Sequence, residues 1–87
     1  MNTLDIIRDQ LVRVRGSEAR SVTPETLISQ VVDSRSFLTL LMNLERALQL
    51  TVTDEDFYES APVTIGQLAG FLDEVRTGFQ HKTAVNQ

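Results

Sequence analysis

Apolar residues at Leu4, Ile7, Leu11 and Val14 recur at three- and four-residue intervals, one face of a helix, with Asn2 or Thr3 placed to cap it. The pattern predicts a first helix over residues 3–14. Residues 15–32 keep no sustained period and include Gly16, Pro24 and several Ser and Thr, which reads as one long ordered loop of the kind that often carries function. Asp33 and Ser34 then open a strongly apolar segment in which Phe37, Leu40, Leu41, Leu44 and Leu48 share a face, a second helix. Thr53 caps a short acidic third helix over residues 54–59, where acids suit the positive end of the helix dipole. After Pro62, Thr64 and Gln67 make a capping box ahead of Ile65, Leu68, Leu72 and Val75. This fourth helix runs to about residue 77, and Gly78 is a natural stop. Gly66 and Gly70 on it are suited to close helix packing. No strand alternation competes and there is no internal repeat, so the fold class is all-α. Residues 1–80 read as a single domain, and residues 81–87 as a frayed tail.

The second helix has more apolar surface than one core-facing stripe requires. Leu38 and Met42, four apart, form a second ridge bordered by Arg35, Glu45 and Arg46. Such a helix is either buried on two sides or presents an exposed docking ridge, for which the adaptable Met thioether is suited. Patterning leaves both open.

Composition narrows the function. A chain of 87 residues holds one modest core and has no second lobe with which to build a deep catalytic cleft. It has no Cys and one His, His81, which removes disulfides, thiolate nucleophiles and Cys- or His-rich metal sites. His81 reads as a solvent-exposed tail residue. A net charge of −4 and a pI near 4.7 argue against nucleic acid, which needs a basic face. No apolar run reaches membrane-spanning length, so a soluble cytoplasmic protein is expected. Up to Arg35 five acids balance five bases, whereas Asp54, Glu55, Asp56, Glu59, Asp73 and Glu74 meet no base before Arg76. That run is either a solvated surface or a face for a basic partner. The cluster from Asp54 to Glu59 lacks the Gly turn and length of a calcium loop, and Phe57 and Tyr58 read as packing residues because no basic groove accompanies them.

One place is chemically suggestive. Asp33 stands where an N-cap belongs and Ser34 at the first helical position, beside unpaired backbone N–H groups that would welcome a phosphate, with Arg35 adjacent. Taken alone, Asp-Ser is also an ordinary capping pair.

The run Asp33-Ser34-Arg35-Ser36-Phe37-Leu38, followed by Leu41, Met42, Leu44, Glu45, Leu48, Val52, Asp54 and Glu55, resembles the acyl carrier protein (phosphopantetheine-binding) family. The likeness continues without an obvious gap through Thr64, Ile65, Leu68, Phe71 and Leu72. It implies a four-helix bundle with a long first loop and a short third helix, the layout reached independently above. It further implies that Ser34 carries a covalent 4′-phosphopantetheine arm derived from coenzyme A, with Asp33 recognised by the phosphopantetheinyl transferase. The chain would then be a carrier and not an enzyme, holding acyl or aminoacyl intermediates as thioesters. A loading ligase or acyltransferase and downstream synthase enzymes would be its further partners. Arg35, Leu38, Met42, Glu45 and Arg46 fall on the family's partner-facing side of the second helix, and Asp54 and Glu55 on its acidic third helix. Transient docking of this kind favours a monomer.

Four positions depart from the family pattern. Val31 stands where Gly is usual, Arg35 follows the Ser in place of Leu or Met, and Thr39 and Arg46 stand where acids are frequent in fatty-acid carriers. These departures imply a dedicated stand-alone carrier of the polyketide, peptide-synthetase or aminoacyl-transfer kind. The alternative is a degenerate carrier-like bundle that acts only as a protein-docking module.

Overall fold

A computed structural model describes residues 2–78. Its helices are α1 (Thr3–Arg15), α2 (Ile28–Val31), α3 (Ser34–Leu48), α4 (Asp54–Ser60) and α5 (Ile65–Thr77), with a 3-10 turn at Ser17–Ser21. Four of these, α1, α3, α4 and α5, are the four helices that periodicity and capping predict. The loop between the first two is more ordered than expected, since it contains both the 3-10 turn and α2. Segments of five and four residues are too short to display a hydrophobic period.

Side-chain caps start each longer helix. The Asn2 side chain accepts from the Asp5 N–H at 2.9 Å, Thr53 Oγ1 from Asp56 at 3.1 Å, and Thr64 Oγ1 from Gln67 at 3.0 Å. Gln67 completes its capping box by accepting from the N–H groups of Val63 and Thr64. Thr3, the other candidate cap of α1, is instead buried. Its hydroxyl donates to the Asp73 carboxylate and accepts from Arg76 at 3.4 Å, which ties the start of α1 to the end of α5. Gly78 ends α5 at φ 75°, a left-handed conformation that glycine adopts without steric cost.

The core lies between α1, α3 and α5. Ile7, Leu11, Leu40, Leu44, Ile65, Leu68 and Leu72 are fully buried, and Ala19, Val22 and Val32 close it from the loop side. Helix α4 contributes no fully buried residue. Its half-buried Phe57 packs against Phe37 of α3 at 5.6 Å between centroids and against Phe71 of α5 at 6.0 Å.

The long loop is fastened to the start of α5. Leu27 and Thr64 form an isolated antiparallel bridge, with Ile28 N–H donating to Val63 and Ile65 N–H to Thr26, both at 2.9 Å. At the next residue, Gly66 N–H donates to the Pro24 carbonyl at 2.9 Å, and a Cβ at Gly66 would lie 3.0 Å from that oxygen. Close approach is therefore why Gly66 is glycine. Gly70 has nothing within 4 Å of a Cβ position and faces solvent, so the packing role expected of it is not found.

Val31, where the family favours Gly, is half-buried at the end of α2, and Gln49 and Ala61 are the non-glycine residues with positive φ among those described. The backbone at Val31 thus needs no glycine. Among the described residues no helix is long and apolar enough to cross a membrane. His81 and the 81–87 tail lie outside the described residues.

Candidate functional site

The bridge at Leu27, the short helix α2 and the buried Val32 fix where the chain turns into α3, and Asp33 fixes how that helix begins. The Asp33 Oδ1 accepts from the Ser36 N–H at 2.8 Å, while its carbonyl accepts from Phe37 N–H at 2.8 Å. Hydrogen bonds from the Ser36 backbone, then from the Ser36 hydroxyl, hold the Asp33 carboxyl below the usual carboxylate range, and the charge of Arg15 adds to this. Asp33 is therefore anionic and oriented. Its neighbour Ser34 is exposed at the first helical position, and the Ser34 hydroxyl makes no hydrogen bond among the described residues.

Two apolar grooves meet at Ser34. One, of about 380 Å³, lies between α2 and the α4–α5 turn and is lined by Ile28, Val32, Pro62 and Val63. The other, of about 260 Å³, lies between α3 and α4 and is lined by Leu38, Leu41, Val52 and Tyr58. Ser34, Phe37 and Phe57 border both, so the paired phenyl rings form the wall between them. A flexible group attached at Ser34 could lie along either groove without displacing a buried side chain. The residues present thus fit an arm carried at this hydroxyl, which has no competing partner and stands beside apolar surface.

The remaining residues singled out from the sequence fall on two adjacent strips. On α3, Leu38 is 61% exposed and Met42 57%, with Arg35 and Arg46 exposed beside them, so the second apolar ridge is not buried within the chain. Glu45 is different. It is half-buried, and its Oε2 accepts from the Val52 N–H at 2.7 Å, which secures the turn leading to α4. Asp54 and Glu55 are exposed in the first turn of α4. Phe57 packs as expected. Tyr58 does not, being 79% exposed, with its ring edge-on to Phe57 at 6.4 Å between centroids. Among the described residues no three acids or histidines are placed to hold a metal ion.

Sequence patterning does not identify the grooves, nor the part played by Phe37 and Phe57 in dividing them. The only trace of it in the sequence is two aromatic residues placed one turn beyond Ser34 and in the short acidic helix.

The structure is thus a helical bundle whose core-anchored loop presents an exposed serine at a helix start, beside two apolar grooves. The model of the phosphopantetheine attachment site family matches residues 5–72, most of the chain, and the chain belongs to that family. Its domains are non-catalytic carriers of a covalently attached 4′-phosphopantetheine, served by phosphopantetheinyl transferases and synthase enzymes. Comparison with curated proteins and with solved structures returned no significant match.

Proposed function

We propose that the Ser34 hydroxyl oxygen is the attachment point of 4′-phosphopantetheine and that the chain carries acyl or aminoacyl intermediates in a dedicated pathway of the polyketide, peptide-synthetase or aminoacyl-transfer kind. The observation that carries this reading is the Ser34 hydroxyl itself, exposed and free of hydrogen bonds at the start of α3, where two apolar grooves converge. Bound there, the arm supplies the thiol that this cysteine-free chain lacks. The chain's own residues do the rest. Asp33 holds the first turn in place and offers the transferase an ionised carboxylate next to the nucleophile. Leu38 and Met42 offer an apolar contact, and Asp54 and Glu55 a charged one, for the enzymes that load and unload the arm. A contact this small forms and dissolves quickly, as successive partners require, and it favours a monomer between encounters. A cytoplasmic location accords with coenzyme A as the source of the arm.

The test is intact mass after incubation with coenzyme A, Mg²⁺ and a broad-specificity phosphopantetheinyl transferase, with Ser34→Ala alongside. A gain of one phosphopantetheine on the parent chain and none on the variant is the expected result. A folded chain that several transferases leave unmodified would overturn the reading and leave a docking module in its place.

A further inference from the structure

The exposed face of α3 is positively charged, which the net charge of the chain conceals. Taking about 100° per residue, Arg35, Met42 and Arg46 fall within about 40° of one another around the helix axis, on a single stripe. Leu38 lies next to that stripe on the side facing α4, where it lines the α3–α4 groove. Arg35 and Arg46 are both exposed, and neither forms an ion pair among the described residues. The one acid of α3, Glu45, is turned toward the Val52 N–H. Across the groove the sign reverses, with Asp54, Glu55 and Glu59 exposed on α4. The surface around Leu38 and Met42 is thus an apolar seam with a positive edge on α3 and a negative edge on α4.

Covering Leu38 and Met42 brings a partner over both arginines. Against a neutral or basic patch their hydration would be lost without compensation, while carboxylates restore it and steer the approach. Resting on the reading of this face as the docking surface, we infer that α3 is recognised by a protein whose docking patch is an apolar socket flanked by two carboxylates. Arg35 and Arg46 are eleven residues apart, which spaces those carboxylates about 16 Å from each other. A wholly basic patch, which the acidic composition alone would invite, matches α4 but not α3.

The test uses two synthetic helical peptides with the same apolar face, one bearing Glu and the other Lys at two positions eleven residues apart. Each is titrated into the ¹⁵N-labelled unmodified chain at low salt. The Glu peptide should shift the amides of Arg35, Leu38, Met42 and Arg46. The combined substitution Arg35→Glu with Arg46→Glu should weaken that binding about tenfold, and raising the salt should weaken it for the parent chain. Equal or tighter binding of the Lys peptide at the same amides would overturn the inference. So would a concentration-dependent shift of those amides in the chain alone, which would assign the ridge to a second copy. Because the unmodified chain is used, failure here leaves arm attachment at Ser34 standing, and failure of attachment leaves this result standing.

Discussion

The rings of Phe37 and Phe57 meet with centroids 5.6 Å apart and planes inclined at 41°, and this contact both fastens α4 to the bundle and separates the two grooves that converge on Ser34. Helix α4 has seven residues and buries none of them fully, so its position depends on Phe57 more than on any property of its own. Phe57→Ala should destabilise the chain by about 2 kcal/mol, less than a fully buried aromatic because Phe57 is only half-buried. Hydrogen exchange should then show the amides of α4 losing protection well before those of α3 and α5. Thermal unfolding together with exchange measured by mass spectrometry checks both.

The two glycines of α5 should respond to alanine in opposite directions. At Gly66 a methyl group would press on both the Cβ and the carbonyl of Pro24 at 3.0 Å, displacing the loop that leads to Ser34. Gly66→Ala should therefore lower the melting temperature and slow arm attachment. At Gly70 the methyl meets nothing, and Gly70→Ala should stabilise the helix by as much as about 1 kcal/mol. Equal effects at the two positions in thermal melts would contradict the packing described at Pro24.

Asp33 has two roles that substitution can separate. Asp33→Asn keeps a side-chain oxygen for the Ser36 N–H and removes the charge, whereas Asp33→Ala removes both. The first should lower the melting temperature less than the second and still slow modification; the second should impair both. Because the Asp33 carboxyl titrates below its ordinary 3.8, its ionised form stabilises the fold above that value, and the contribution is lost as pH falls through the lower folded value. A carbon-detected NMR titration of the Asp33 carboxyl should give a midpoint under 3.8, with the Ser36 amide resonance moving at the same pH.

Glu45 should behave as a structural residue. Its Oε2 holds the Val52 N–H at 2.7 Å, so Glu45→Ala should cost about 1 kcal/mol and loosen the turn between α3 and α4. An exposed docking acid would leave stability unchanged on removal, and denaturant unfolding distinguishes the two. The aligned position of Glu45 on the partner-facing side of α3 gives no hint of this. The acceptor role depends on a turn seven residues further on, and spacing along a helix does not carry that information.

The parts of the fold that repeat or cap were legible in advance. The stripe from Leu4 to Val14, the box of Thr64 and Gln67, and the caps at Asp33 and Thr53 each act within one or two turns, where sequence neighbours are also spatial neighbours. The placement of Ser34 at the first position of α3 was legible for the same reason, since a helix start is a local event. What pattern could not show is long-range. The Leu27–Thr64 bridge joins residues far apart in the chain, and the Phe37–Phe57 wall exists only once α4 is docked. The exposure of Leu38 and Met42 was undecided for a related reason, because an apolar ridge looks the same in sequence whether or not another element covers it.

Attachment at Ser34 comes down to one hydroxyl oxygen, and peptide mapping reads that position. The chain, treated with coenzyme A and a phosphopantetheinyl transferase, is digested, and the modified peptide is fragmented to locate the added group. A single phosphopantetheinyl group on Ser34 is expected, with Ser29, Ser36 and Ser60 unmodified. A group found on another residue, or none on a folded chain, would contradict it.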